Sequence, residues 1–307
     1  MSKPVILNIA KIPAVLQQSL EREFDLRTLH GPGDASEISG LVSSAIRGVD
    51  RATLDQLPGL KVMSIFGVGL DKVDLAAARR RGIRVGYTPD VLNDCVADLA
   101  IGLMIAVSRK IPQADGYVRS NQWAETGNVF HLGDRVSGKR MGIAGMGRIG
   151  RIIAKRLAGF DAEIRYFSRS EVPGCSHERV STLRELAAWC DYLFIAVAGS
   201  AETRHIVDAG VLEALGPQGY LINVARGSVV DEQALIAALE NEAIRGAALD
   251  VYEVEPLASS RLTGLRNTVL LPHVSSATNE TRTAMSNMVV ENLKRFYAGE
   301  PMLAEPA

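Results

Sequence analysis

Cysteine is scarce. Cys95, Cys175 and Cys190 are the only three in 307 residues, and no two form a CxxC pair. That argues against a disulfide framework or a thiolate metal site; free thiols, a reducing compartment and no metal are expected. Net charge is nearly absent at −1, so no overall field draws the chain to nucleic acid or an anionic membrane. Long apolar runs are missing too. The longest candidate, 99–107, stops at Ser108, Arg109 and Lys110. A membrane span needs roughly 18 such residues. The first residues offer Lys3 but no apolar h-region, so a cytoplasmic protein is expected, with no membrane or nucleic-acid partner.

What is present is apolar residue at 47% against 22% charged, the balance of a folded soluble chain. A length of 307 residues exceeds one ordinary core and suggests two domains. Short β-rich runs alternate with helical stretches. Strands are expected at 4–9, 44–46, 60–66 and 83–85, with helices at 15–24 and 75–81. One long helix is expected over 94–119, where Ala97, Ile101, Met104 and Ile105 fall at helical spacing. The stretch 120–137 loses periodicity and reads as a loop or arm. Alternation then resumes, with strands at 141–144, 163–167, 193–197, 220–224, 246–249 and 268–271, and a final helix at 280–297. Such alternation means α/β architecture, parallel sheets with crossover helices.

The segment 141–150 reads MGIAGMGRIG: an apolar strand, a glycine loop and the start of a helix. That context turns a weak GxGxxG motif into a dinucleotide fingerprint. Gly145 permits the tight turn, Gly147 lets backbone approach a pyrophosphate, and Gly150 lets helix and strand pack closely. Arg148 and Ile149 complete the loop, whose helix terminus offers N–H groups to phosphate. An acidic residue should follow the next strand to hold the ribose hydroxyls. Here the chain reads Ser168-Arg169-Ser170. No carboxylate repels a 2′-phosphate, and Arg169 offers a planar fork to bind one, so the cofactor expected is NADP(H).

Three further segments end apolar strands: NVARG at 223–227, DVYEVEP at 250–256 and LPHVSSA at 271–277. Ligands in open α/β sheets bind at strand carboxyl ends. Arg226, Glu255 and His273 supply what carbonyl reduction by hydride needs. The histidine is an acid, the carboxylate orients it, and the arginine holds a substrate carboxylate and polarises the carbonyl.

These segments, with FGVGLDKVD at 66–74 and the stretch that follows, resemble the D-isomer-specific 2-hydroxyacid dehydrogenase family over about 57–299. Within it the chain looks nearest to NADPH-preferring reductases of glyoxylate, hydroxypyruvate, hydroxyphenylpyruvate or 2-ketogluconate. The resemblance implies two Rossmann-like or flavodoxin-like doubly wound parallel-sheet domains with an interdomain cleft. The substrate domain would be 1–98 plus 285–307, and the dinucleotide domain 99–284. It implies that the Val68 and Gly69 amides bind the substrate carboxylate. Asp250 would meet the nicotinamide amide and Ser276 the ring, with Val96, Val197 and Ala225 beside the cofactor. A small 2-ketoacid or 2-hydroxyacid is the implied partner, in a homodimer whose arm lies in 120–137. Trp123 would reach toward the substrate across that dimer, and Ile46, Arg47 and Gly48 would line the pocket. Relatives often carry a proline after the strand at 193–197; here Ala198-Gly199-Ser200 stands, which should loosen the adenosine pocket. Two alternatives remain: a dinucleotide-sensing interaction protein of the corepressor type, and an NAD-linked dehydrogenase of another 2-hydroxyacid.

Overall fold

A computed structural model describes residues 3–28, 35–127, 130–258 and 260–306. The chain divides into two compact units, 1–92 with 277–307, and 93–276.

The first unit opens with β1 (Val5–Asn8), α1 (Ala14–Glu23), β2 (Asp25–Thr28), β3 (Gly40–Ser44), α2 (Arg51–Asp55), β4 (Val62–Phe66), α3 (Leu75–Arg80) and β5 (Arg84–Gly86). The strands pair in parallel in the order β2-β1-β3-β4-β5. Every residue of β4 is buried, as expected of a central parallel strand covered on both faces. Leu41, Met63, Ile65 and Val85 pack with Leu54, Ala77 and Ala78 on one side. Asp50 and Asp74 start α2 and α3 by accepting from the amides of Thr53 and Ala77.

The second unit contains α4 (Asn93–Ser108), α5 (Ile111–Arg119), α6 (Gln122–Thr126), β6 (Arg140–Ala144), α7 (Arg148–Leu157), β7 (Glu163–Phe167), β8 (Glu178–Val180), α8 (Leu183–Trp189), β9 (Tyr192–Ile195), α9 (Ala209–Leu215), β10 (Tyr220–Asn223), α10 (Glu232–Glu240), β11 (Gly246–Leu249) and β12 (Thr268–Leu270). Its strands are all parallel, in the order β12-β11-β10-β9-β6-β7-β8. The order reverses at β6: β7 and β8 extend one way, β9 to β12 the other. The last helix, α11 (Asn279–Tyr297), returns to the first unit. There the Tyr297 hydroxyl meets Ser39 Oγ at 2.8 Å, and buried Asn292 donates to Tyr87 O and accepts from Leu303 N.

Several sequence expectations shift. The expected boundaries at 98/99 and 284/285 would cut α4 and α11, yet each helix packs as a whole. α4 lies on α7, β10 and β11, and α11 lies on α1 and β4, so the breaks fall before Asn93 and after Ser276. The strand expected at 44–46 is Gly40–Ser44. A Cβ at Gly40 would lie 2.3 Å from Ile6 Cδ1 and 2.8 Å from the Tyr297 hydroxyl, so this glycine marks close packing rather than a turn. The helix expected over 94–119 is two helices. Buried Ser108 donates to Met104 O and the Tyr192 hydroxyl, and Lys110 takes a left-handed φ of 52°. Within the expected arm lies the short α6. β2 and β8 are polar edge strands without an alternating apolar pattern, and the expectations lacked them. Among the described residues no helix is long and apolar enough to cross a membrane, and no disulfide links Cys95, Cys175 or Cys190.

Candidate active site

Parallel pairing brings the carboxyl ends of all seven strands of the second unit to one edge, and every expected site loop of that unit leaves from it. The reversal at β6 opens a crevice between β6 and β9, and Gly145 lies there. Its φ is +99°, and a Cβ would lie 2.7 Å from Ala196 C and O and from Val197 N. At Gly150 a Cβ would meet Gly145 O at 2.0 Å, so α7 rests directly on the turn. Gly147 differs: a Cβ there would meet nothing within 4 Å, so its face is open. It is the N-cap of α7 and brings no side chain to it, so the first turn, with Arg148 and Ile149, has no side-chain cap. An open, uncapped helix start beside two tightly packed glycines fits a bound pyrophosphate.

β7 ends at Phe167, and Ser168 Oγ donates to Ser170 O. Arg179, on the neighbouring β8, donates through Nε and Nη2 to Ser168 O at 3.0 and 2.9 Å, and through Nη2 to Arg169 O at 3.2 Å. The loop carbonyls are thus tied back to the edge strand, while Arg169 and Ser170 are exposed. Across the crevice Ser200 donates to Glu202. That bond, the local amide and the charge of Arg169 hold the Glu202 carboxyl below its usual range. Neither Arg179 nor Glu202 was expected; a polar edge strand and a loop acid carry no sequence pattern. The turn at 198–200, where proline is missing, is closed by Thr203: its hydroxyl donates to Ala198 O and accepts from Ser200 N, each at 2.8 Å.

The remaining loops are held by buried polar groups. Asn223 accepts from Ala225 N and donates to Arg226 O, both at 3.0 Å, which fixes the bend carrying Arg226. The next residue, Gly227, lies so close to the following strand's loop that a Cβ would sit 1.8 Å from Tyr252 C. The Arg226 loop is therefore pressed against the loop of Glu255. Glu255 accepts from Tyr252 N through Oε1, and its Oε2 lies 2.8 Å from Nδ1 of His273. A carboxylate only accepts, so Nδ1 carries the hydrogen and Nε2 is left for chemistry. His273 is only partly covered, at 22% side-chain exposure against 13% for Glu255.

Asp250, expected to meet the nicotinamide amide, also has a structural task. It is fully enclosed, and its two oxygens accept from Val274 N at 2.7 Å and Ser275 N at 2.8 Å. His273 N donates to Asp250 O, and His273 takes a left-handed φ of 54°. The carboxylate is thus the brace beneath the histidine loop. Tyr252 adds a second brace by donating to Leu271 O; burial, with the charges of Asp250 and Glu255, pushes its phenol up to about 12. Val96 is also buried, in α4, while Val197, Ala225 and Ser276 are partly exposed at strand or loop ends. Val68 and Gly69 lie in the first unit after β4, partly exposed. Ile46 and Arg47 are exposed there, and Gly48 has φ +68° against Lys72.

Residues 101–275 match the family model described as the D-isomer specific 2-hydroxyacid dehydrogenase, NAD binding domain. The chain is 44% identical over 306 residues to a hydroxyphenylpyruvate reductase of Plectranthus scutellarioides, covering 97% of both. It is equally similar, at 44% over 306 residues and 97% of each chain, to a glyoxylate/hydroxypyruvate reductase of Arabidopsis thaliana. Among solved structures it resembles an NADPH-dependent glyoxylate/hydroxypyruvate reductase of Sinorhizobium meliloti, crystallised with NADP and malonate. That match has a TM-score of 0.95 and 40% identity, over 100% of this chain and 97% of the other.

Replacing Asp250 by alanine strands the amides of Val274 and Ser275 in a dry interior. The expected cost is about 2–5 kcal/mol in urea denaturation. An unchanged midpoint and slope would show that the loop does not depend on this brace.

Proposed function

The chain belongs to the D-isomer specific 2-hydroxyacid dehydrogenase family, and on that premise we propose that it reduces a small 2-ketoacid of the glyoxylate or hydroxypyruvate type to the D-2-hydroxyacid, using NADPH. What carries the reading is the 2.8 Å pair of Glu255 and His273, on the same strand-end edge as Arg226 and the glycine loop. When bound, the nicotinamide would supply the hydride. Negative charge then grows on the carbonyl oxygen, and a proton must arrive there. Glu255 fixes the imidazole with Nε2 outward, so His273 gives that proton in reduction and takes it back in oxidation. Arg226 holds the carboxylate and polarises the carbonyl, work that suits a planar charged fork.

NADPH follows from the 168–170 loop. Ser168 stands where a ribose-binding acid would repel a 2′-phosphate, and Arg169 is exposed beside it. That the Sinorhizobium relative was crystallised with NADP supports the same choice. Ser168 already donates to Ser170 O, so its part is to leave room for the phosphate while Arg169 binds it.

We also propose a homodimer in the cytoplasm. Large apolar side chains are exposed along the stretch of α5, α6 and the segment after them: Ile111, Val118, Trp123 at 59% and Leu132 at 83%. Exposed apolar side chains of this size suit burial against a second copy.

With purified protein and a panel of 2-ketoacids, NADPH oxidation is expected. Tight dinucleotide binding without turnover on any of them would favour a sensor instead. Arg169→Asp should move the NADPH/NADH ratio of kcat/KM toward NADH by about 10- to 100-fold, and an unchanged ratio would remove Arg169 from the phosphate site. His273→Ala should lower kcat about 10²- to 10⁴-fold with NADPH affinity nearly intact. Near-normal turnover in that variant would sink the acid–base role. Light scattering should return about twice the 33.0 kDa chain mass; a single chain mass at micromolar concentration would rule out the dimer.

A further inference from the structure

Arg282 lies in the opening turns of α11, after the Thr278 cap, and faces the last residue of β4. Its guanidinium carbon is 5.3 Å from the centroid of the Phe66 ring. The side chain is partly buried. Among the described residues it meets no carboxylate, carbonyl or hydroxyl acceptor. Burial alone lowers its pKa from the usual arginine value, with no acid raising it. Other partly covered arginines among the described residues are matched. Arg156 pairs with Asp94 and Asp98, Arg165 with Glu178, and Arg81 donates to the carbonyls of Leu54 and Leu57.

Withdrawing a cation from water without a counter-charge is unfavourable, and the face of an aromatic ring offsets only part of the cost. Such a group persists where a ligand brings the missing anion. The backbone beside it makes the same demand. Gly67 is anchored, since its N–H donates to the Thr88 hydroxyl and its carbonyl accepts from Thr88 N. The next two amides, Val68 N and Gly69 N, have no acceptor among the described residues and lie in a partly exposed loop. Phe66 thus carries an unmatched guanidinium on its ring and leads directly into two unmatched N–H groups. All of these are donors, an arrangement that selects an anion and rejects a cation.

We infer that Arg282 is a further substrate-binding residue, adding its guanidinium to the Val68 and Gly69 amides, whose hold on the 2-ketoacid carboxylate the family resemblance already implies. This rests on the 2-ketoacid reading above and adds to it a charge that the expected site lacked. Charge-assisted bonds to a planar carboxylate need the guanidinium fork, which a lysine reproduces only as a point charge.

The test is Arg282→Met, which keeps an aliphatic stem over Phe66, alongside Arg282→Lys. In Arg282→Met, KM for both glyoxylate and hydroxypyruvate should rise about 10- to 100-fold while kcat falls no more than about threefold. Calorimetric affinity for oxalate, a dicarboxylate probe, should drop by a similar factor. Arg282→Lys should fall between. The melting temperature of Arg282→Met should hold or rise, since an unmatched charge leaves a partly dry position. A purely structural role predicts the opposite pattern: a lower melting temperature, with kcat and the KM for NADPH shifting together. That result, or unchanged KM and oxalate affinity, overturns the inference. Should wild-type protein turn over no 2-ketoacid yet bind oxalate in an Arg282-dependent way, the 2-ketoacid reading fails while the carboxylate seat stands.

Discussion

Parallel strand pairing is the constraint on which the site depends. In the unit 93–276 seven strands run the same way, so seven loops leave from one edge. Chemistry encoded far apart in the chain, at 145–150, 168–170, 226, 255 and 273, is gathered there by topology alone. Reversal of strand order at β6 adds the second ingredient, a crevice that no crossover helix covers. The glycines that line it are two kinds of residue under one motif. Gly145 and Gly150 are required by contacts at 2.7 and 2.0 Å that a side chain could not survive, while Gly147 is required by what must approach from outside.

A shared edge does not by itself give a fixed geometry, and loops leaving a sheet are ordinarily mobile. Here they are bound to one another by groups the solvent does not reach. Asn223 shapes the arginine loop, Asp250 holds the histidine loop, and Tyr252 ties its own loop to Leu271. Each has its hydrogen bonds satisfied, so the dry surroundings strengthen the network rather than penalise it. Glu253 extends the lock outward: it accepts from Arg204 and His205, while His205 N donates to Ser228 O. Burial opposes ionisation of Glu253, and its hydrogen bonds to His205 and Arg204 outweigh it, so its carboxyl sits below its usual range. The loop carrying Glu255 is thereby attached to the loop after β9 and to the one after β10. The 2.8 Å contact of Glu255 with His273 is the product of this lattice, not of two residues happening to meet.

Much of this was legible in the sequence because buried parallel strands are apolar runs that end abruptly. LIN before VARG and AAL before DVY mark both the strand and the start of its functional loop. The glycine fingerprint was readable for the same reason, with strand and helix flanking it. What was not legible follows from missing periodicity or from tertiary choice. β2 and β8 are edge strands of four and three residues, wetted on one side, with no alternation to detect. The break at Lys110 in 94–119 depends on Ser108 turning inward to Tyr192, a contact 84 residues away. Asp250 was recognised as a site residue, but its hold on the amides of Val274 and Ser275 was not foreseen. Sequence places a carboxylate at a strand end without saying whether it faces the ligand or the loop above it. Arg179 and Arg282 were missed because an arginine on an edge strand or an early helical turn reads as solvated surface.

The distribution of charge separates structure from function. Where this chain uses charge to hold itself together, the charges are matched, as in Arg156 with Asp94 and Asp98, or Glu253 with Arg204. Where charges are not paired in this way, the local fold gains little from them. Arg169 extends from a loop whose carbonyls are already taken by Arg179, so the loop keeps its form without the Arg169 side chain. Arg282 stacks on Phe66, a contact an uncharged side chain of equal length could make. Both positions keep a positive charge beside a backbone that presents N–H groups or leaves space, and each lies next to a glycine-bearing loop after a central strand. A fold selected for stability alone would neutralise Arg282, because unmatched charge in partly dry surroundings is unfavourable. Retention of both charges is most simply explained by an anion that arrives from outside: a 2′-phosphate at the first and a carboxylate at the second.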